Sequence, residues 1–205
     1  MSIEPIVYVV DDDLSVQRVL ERILTSAGWR VQMYESGPAF LDAFDPDRPG
    51  CLILDLRMPR MNGLTVQEKL MTRGLTLPII FLTAFGDVPT AVQAIQAGAV
   101  DFLEKPFSNQ QLIRLVEQAL EQDARFRAQR QRRAEREARL AHLTPREREV
   151  LDLIVAGDTN KEIAAQLGIG LRTVEMHRQQ VMRKLGARSA VDLMHLLYED
   201  DGGPA

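Results

Sequence analysis

The chain has a single cysteine, Cys51, set inside an apolar run. A disulfide within the chain is therefore excluded, and so is a cysteine metal site. The start, Met-Ser-Ile-Glu-Pro, lacks both a basic segment and a long apolar one, and no run further on is long enough to span a bilayer. Neither a secretory signal nor a membrane span is expected, and the sequence reads as cytoplasmic with no membrane partner. Internal repeats and low-complexity tracts are missing too. Net charge is small, -4, and by itself announces no nucleic-acid partner. The distribution of charge says more. Residues 1–121 carry 10 Lys/Arg against 16 Asp/Glu, whereas residues 122–205 carry 15 against 13. That asymmetry favours an acidic domain handling metal or phosphate, joined to one that meets nucleic acid.

What is present in the first 107 residues is an alternation of short apolar runs with amphipathic stretches. Ile6–Val10 reads as a strand that stops at Asp11-Asp12-Asp13. Val16, Val19, Leu20, Ile23, Leu24 and Ala27 then repeat at helical spacing up to Gly28. Strands are expected at 30–34, at 51–54 ending at Asp55, at 78–82 and at 100–103. Helices are expected near 38–44, after a loop at Leu56–Gly63 to about Arg73, and from Pro89 to Gly98. Ser108 with Gln111 forms a capping box for one more. Five strands alternating with five helices imply a doubly wound five-stranded parallel sheet with helices on both faces, an α/β flavodoxin-like fold. In such sheets the functional crevice lies beyond the carboxyl ends of the strands.

That edge is where the unusual polar residues fall. Asp11 and Asp12 follow strand one, Asp55 strand three, Thr83 strand four and Lys105 strand five. Strands one and three should be neighbours, so their carboxylates would share one pocket. Carboxylates that close repel unless a cation is present. A hard divalent ion that retains waters suits them, and Mg²⁺ is the natural choice. Lys105 would add a fixed positive charge and Thr83 a hydroxyl donor, which together are what phosphoryl transfer to a carboxylate needs. Taken singly, each residue has a plainer reading: the Asp triplet could cap the next helix, Lys105-Pro106 could be a turn, and Thr83 a strand terminus.

Val9-Val10-Asp11-Asp12-Asp13, Leu54-Asp55-Leu56-Arg57-Met58-Pro59 with Gly63, Leu82-Thr83-Ala84 and Lys105-Pro106-Phe107 resemble the signature of the response-regulator receiver family over about residues 4–121. The resemblance implies that Asp55 is the phosphoacceptor. It implies that Asp12 and Asp55 bind Mg²⁺, with Asp11 helping through water and the Arg57 backbone carbonyl completing the protein ligands. It further implies that Thr83 and Lys105 hold the phosphoryl group, and that the Lys105–Pro106 peptide is cis. Phe102 falls at the family's aromatic switch position. Its plain reading is a strand residue packed in the core. The family reading is that Thr83 moves toward the phosphate, Phe102 turns inward behind it, and the surface of roughly 89–104 changes shape.

Residues 112–141 read as one helix, apolar through Leu112, Val116, Ala119 and Leu120 and then rich in Arg, Gln, Glu and Ala. With Phe126 nearly alone beyond Asp123, the stretch 122–141 is expected to be a solvated helical linker; a coiled-coil seam there stays open. Residues 142–205 form an all-α unit of four helices with clear punctuation. Thr144-Pro145-Arg146-Glu147 and Thr159 with Glu162 are capping boxes, Gly168 and Gly186 are stops, and Ser189 with Asp192 opens the last helix. Between 171 and 188 there are five Lys/Arg and one acid. Two helices across a short Gly-containing turn, the second basic, form a helix-turn-helix pattern. The spacing resembles the LuxR-type helix-turn-helix family, and the whole chain is similar to the FixJ-like branch of response regulators.

The second helix of that motif should enter the major groove of double-stranded promoter DNA. Glu175, Met176, Arg178, Gln179 and Arg183 are candidates for base contacts. Lys161, Arg172, Thr173, His177 and Lys184 are candidates for phosphate contacts, any of which could instead be an ordinary solvated residue. His177 has no second ligand spaced for a metal. Glu175 departs from the basic or neutral residue common there in relatives, which leaves the preferred site open. The leading functional reading is a phosphorylation-dependent transcriptional regulator. A sensor histidine kinase phosphorylates Asp55, a homodimer forms, and the dimer binds promoter DNA, with RNA polymerase as a further partner. It is not expected to be an enzyme beyond self-catalysed transfer to Asp55. A Mg²⁺-dependent phosphohydrolase would need a second acid where Arg57 stands, and ligand-gated DNA binding would need a large apolar pocket in the N-terminal domain.

Overall fold

The computed structural model describes residues 3–83 and 100–198, with elements in the order β1 (Ile6–Val10), α1 (Leu14–Ser26), β2 (Arg30–Tyr34), α2 (Gly37–Ala43), β3 (Gly50–Asp55), α3 (Gly63–Thr72), β4 (Ile79–Thr83), β5 (Asp101–Glu104), α4 (Asn109–Ala141), α5 (Pro145–Val155), α6 (Asn160–Leu167), α7 (Leu171–Leu185) and α8 (Ala190–Tyr198). The helix expected from Pro89 to Gly98, and the loop before it, lie outside the described residues. Two units divide the chain: the first runs to Arg127 and the second starts at Ala128.

In the first unit all five strands are parallel, in the order β2-β1-β3-β4-β5. Every residue of β1 and β3 is buried, which is why these strands read as unbroken apolar runs rather than alternating ones. Alternate residues serve opposite faces. Ile6, Tyr8, Val10, Leu52, Leu54 and Phe81 pack with Phe40 and Leu41 of α2 and with Val66 and Leu70 of α3. Val7, Val9, Cys51, Ile53, Ile80 and Leu82 pack with Leu20, Ile23 and Leu24 of α1 and with Leu112, Leu115, Val116 and Ala119 of α4. Each fully buried Leu or Ile is worth roughly 1.5–3 kcal/mol by area. The sheet is therefore held from both sides, and its carboxyl edge is a rigid platform.

The second unit has its own core, built from Val150, Leu151 and Ile154 of α5, Ile163 of α6, Val174, Val181 and Leu185 of α7, and Leu193 of α8. Its helices start and stop where the sequence predicts. Both capping boxes are made, with Thr144 and Glu147 closing on each other and Thr159 and Glu162 doing the same. Gly168 and Gly186 end α6 and α7 in the left-handed conformation that a β-carbon disfavours. Asp192 bonds the Arg188 N–H while Ser189 Oγ accepts from Asp192 N, so α8 opens on the expected pair in a shifted pattern.

The linker differs from its expectation. Asp123 is almost wholly buried in the first unit, and Arg127 reaches back to that unit's backbone. Near the other end of α4, Arg136 donates to the Leu197 carbonyl and Arg139 to the Leu185 carbonyl, both within the second unit. The stretch 122–141 is thus not simply a solvated connector. Periodicity missed this because the anchoring is polar and leaves no apolar stripe to see.

Candidate functional site

Strand register brings the predicted polar residues to one edge. Val10 pairs with Leu54, so Asp11 and Asp55 leave the sheet side by side; Asp55 pairs with Leu82 and Thr83 with Glu104, one residue before Lys105. Lys105 N–H donates to the Thr83 carbonyl at 2.8 Å, extending the ladder by one rung and directing its side chain back over the edge. The ammonium Nζ then sits 2.9 Å from Asp11 Oδ2 and 2.9 Å from Asp55 Oδ1. Lys105–Pro106 is a cis peptide, as the resemblance implied.

The Asp triplet divides its work among three positions. Asp11 is buried, with its Oδ1 accepting from Asp13 N–H at 2.9 Å. Asp12 is exposed at the rim. Asp13 caps α1, accepting from Ser15 N and Ser15 Oγ; those bonds hold its carboxyl below the usual carboxylate range. The capping reading of the triplet is realised by Asp13 alone, while Asp11 pairs with Lys105 at the sheet edge.

Asp55 lies at the end of β3 with its Oδ2 accepting from Arg57 N–H at 2.9 Å. Burial pushes its carboxyl above the usual value, and the hydrogen bond and charge of Lys105 oppose that shift. For Lys105, burial works against the charged form, but its bonds to Asp55 and Asp11 prevail and raise it, so the ammonium stays charged at neutral pH. Thr83 is buried beside them at the end of β4. Asp11, Asp12, Asp13, Asp55, Leu56, Arg57, Leu82 and Lys105 line an open cavity of about 200 Å³. Arg60, in the loop after β3, has a φ of 67°, a left-handed conformation that costs a non-glycine residue about 1–2 kcal/mol. Gly63 starts α3 where a β-carbon would lie 2.6 Å from the Asp55 carbonyl and 2.9 Å from the Phe81 ring. Only glycine lets α3 approach β3 so closely. Phe102 is exposed (36%) rather than packed in the core.

Asp11, Asp12 and Asp55 line one cavity, as expected, although among the described residues no group of three His, Cys, Asp or Glu is placed to hold an ion by side chains alone. Lys105 stands between Asp11 and Asp55 and offsets much of their repulsion, while Asp12 looks outward. A residue missed by sequence reasoning is Gln17, buried on α1, whose Nε2 donates to the Asp11 carbonyl at 2.6 Å and the Tyr34 carbonyl at 3.1 Å. It fixes the turn that aims Asp11. The only signal was a glutamine beside the apolar stripe of α1.

In the second unit, α6 and α7 make the predicted helix-turn-helix. Val174, Val181 and Leu185 face the core, and Arg172, Glu175, Met176, Gln179 and Arg183 are exposed on α7. Thr173, His177 and Arg178 are half-buried, and Lys161 is exposed at the start of α6. Lys184 falls elsewhere. Its Nζ lies 2.6 Å from Oε2 of the buried Glu147 and 3.1 Å from the His142 carbonyl. The charge expected to meet a phosphate is thus spent inside the unit, because Leu185 beside it faces the core and Glu147 comes within reach. The Lys184 bond, with the Thr144 N–H, lowers the Glu147 carboxyl to about 2. No helix of the described residues is long and apolar enough to cross a membrane.

Comparison with known proteins agrees with both halves. Residues 7–117, more than half the chain, match the response regulator receiver domain, and residues 141–197 match the bacterial regulatory proteins of the luxR family. The chain is 44% identical over 200 residues to the transcriptional regulatory protein FixJ of Rhizobium meliloti (strain 1021), covering 97% of this chain and 98% of that one. It is 44% identical over 191 residues to the transcriptional regulatory protein TdiR of Thauera aromatica, covering 93% and 84%. Among solved structures, the response regulator StyR superposes with a TM-score of 0.87 at 43% identity, over 96% of this chain and 99% of that one. Full-length FixJ from B. japonicum superposes with a TM-score of 0.61 at 36% identity, over 99% and 100%. A sheet edge carrying Asp11, Asp55, Thr83 and Lys105, a helix-turn-helix, and relatives alike across nearly their whole length identify the chain as a member of the two-component response regulators, a transcription regulator with a receiver domain and a LuxR-family DNA-binding domain.

Proposed function

We propose that Asp55 accepts a phosphoryl group from a sensor histidine kinase, and that the phosphorylated chain dimerises and binds promoter DNA in the cytoplasm. The observation that carries this reading is the Lys105 ammonium shared at 2.9 Å by Asp11 and Asp55 on the carboxyl edge of the sheet. An Asp55 oxygen attacks phosphorus as the P–N bond of the kinase's phosphohistidine breaks, and the imidazole leaves with a proton. Lys105 then offsets charge on the phosphoryl oxygens, and the Thr83 hydroxyl donates to one of them.

The donor set fits Mg²⁺, an ion that keeps several waters and takes one or two carboxylates. Asp12, Asp55 and the Arg57 backbone carbonyl would hold it, with Asp11 acting through water. Bound there, it would neutralise the charge that builds on the transferring group. Beyond transfer to its own Asp55, the chain turns over no substrate. Phe102, exposed on β5, would turn inward as Thr83 follows the phosphate. Two helix-turn-helix units from a homodimer would then meet a two-fold-related site, with RNA polymerase recruited at the promoter.

The test is treatment with a small phosphodonor and Mg²⁺, followed by intact mass and gel shift on duplexes selected from a random pool. One added phosphoryl group, dimerisation and tighter DNA binding are expected, all lost in Asp55→Asn. Unchanged labelling of Asp55→Asn would refute the assignment.

A further inference from the structure

The search for a second functional element leads to the amino end of β3, the opposite end of the phosphoacceptor strand. Backbone groups of β3 alternate between its two neighbours. Leu52 N–H donates to the Pro78 carbonyl at 2.9 Å, on the β4 side, and the paired register with β4 begins there, at Leu52 with Ile79. Gly50, two residues earlier, points its N–H the same way, ahead of the first β4 partner. Asp123 of α4 supplies the missing acceptor, with its Oδ2 2.9 Å from Gly50 N.

The same oxygen accepts from Arg127 Nε at 2.8 Å. Arg127 in turn donates to the carbonyls of Asp47 at 3.0 Å and Pro46 at 3.1 Å, and to that of Arg48. One ion pair thus closes α4, the 46–48 loop and the first residue of β3 into a single clasp. Asp123 Oδ1 is buried with no partner among the described residues, and burial, reinforced by the negative charge of Asp123, raises the Cys51 thiol. A buried carboxylate satisfied on one oxygen only is a poor device for stability, since an apolar side chain would fill the place at lower cost. It is a good device for register. Leu112, Leu115, Val116 and Ala119 bind α4 to the sheet by apolar contact, which tolerates sliding, whereas a hydrogen bond to one N–H does not.

Both clasp residues lie past residue 117, where the match to the receiver domain ends. Gly50, whose N–H the clasp holds, is five residues along β3 from Asp55, or about 16 Å at the rise of a strand.

We propose that Asp123 and Arg127 are positioning residues that extend the receiver by about three turns of α4, and that this clasp is the element through which the phosphorylation state of Asp55 reaches the DNA-binding unit. The second clause rests on the proposed function; the first does not. Breaking the clasp leaves the chemistry at Asp55 untouched and frees residues 121–131 of the helix from the receiver.

The experiment compares full-length wild type with Arg127→Ala, Asp123→Ala and the conservative Arg127→Lys. Amide exchange over 121–131 should quicken at least tenfold in both alanine variants, with exchange in β1 and in β3 beyond Gly50 unchanged, and Arg127→Lys should restore most of the protection. Phosphorylation by a small phosphodonor with Mg²⁺ should keep its rate within twofold. The ratio of DNA affinities with and without phosphorylation, on the selected duplex, should collapse toward one in the alanine variants. A merely structural role would lower the melting temperature and leave that ratio alone. Unchanged exchange over 121–131 in Arg127→Ala overturns the clasp. Quickened exchange with an undiminished ratio overturns its part in signalling. If the wild type itself gives no phosphorylation-dependent affinity, the proposed function fails, and the exchange data still decide on the clasp.

Discussion

Glu147→Gln should weaken the second unit markedly at neutral pH and much less in acid. Glu147 is buried in the unit and its Oε2 receives both the Thr144 N–H at 2.8 Å and the Lys184 ammonium at 2.6 Å. Those bonds hold its carboxyl at about 2 in the folded state, against an ordinary 4.5. Folded below unfolded means that the stabilisation is present above pH 4.5 and lost as pH falls toward 2. Full ionisation at neutral pH is then worth about 3 kcal/mol, and about 1.5 kcal/mol would remain near pH 3. A separate count agrees: a helix cap contributes about 1 kcal/mol and a hydrogen bond to a charged group about 1.5–3 kcal/mol. For a domain of this size each kcal/mol moves the melting temperature by roughly 4–8 °C. Calorimetry of the full chain should therefore show one transition falling by about 12–24 °C at pH 7, the other staying put, and the gap to wild type roughly halving near pH 3. A transition shifted by only two or three degrees at pH 7, or a gap that does not close in acid, would show that the Glu147–Lys184 pair does not brace the last turn of α7 as argued.

Other outcomes follow from the same geometry. Lys161→Ala should flatten the salt dependence of DNA binding by about one counterion without moving either melting transition, because Lys161 is exposed. Lys184→Met should do the reverse, lowering the melting temperature while leaving the slope alone, since its charge is already committed to Glu147; a gel-shift titration at several salt concentrations separates the two. Gly63→Ala should cost about 1–3 kcal/mol by overpacking and slow Asp55 phosphorylation, read by denaturant melts and by intact mass against time. Lys105→Ala should retain the phosphoryl modification but lose the gain in DNA affinity, and a normal gain in that variant would remove Lys105 from the response.

Much of the molecule could be read along the chain, because the signals are local. A strand buried on both faces needs an unbroken apolar run, and Ile6–Val10 and the run after Cys51 are such runs. Capping boxes at Thr144 and Thr159 satisfy orphan N–H groups three residues away, so they are visible without any fold. Glycines at 168 and 186 mark left-handed stops for the same reason. Even the gathering of Asp11, Asp55, Thr83 and Lys105 follows once parallel strands are inferred, since each stands at the end of its own strand.

Tertiary structure decided what charge alone leaves open. Three consecutive aspartates look alike in the sequence, yet one is buried against Lys105, one faces outward and one caps α1, because the chain turns through a full change of direction across them. Asp123 falls in a stretch that reads as solvated and Lys184 reads as a phosphate contact; whether such a residue meets solvent, a ligand or an internal partner depends on which backbone or carboxylate lies across from it. Asp123 meets a strand N–H one rung ahead of β4, and Lys184 meets Glu147 from a helix far along the chain. Local sequence sets the period and ends of each element, while the pairing of a polar group with a distant partner is a property of the packed whole.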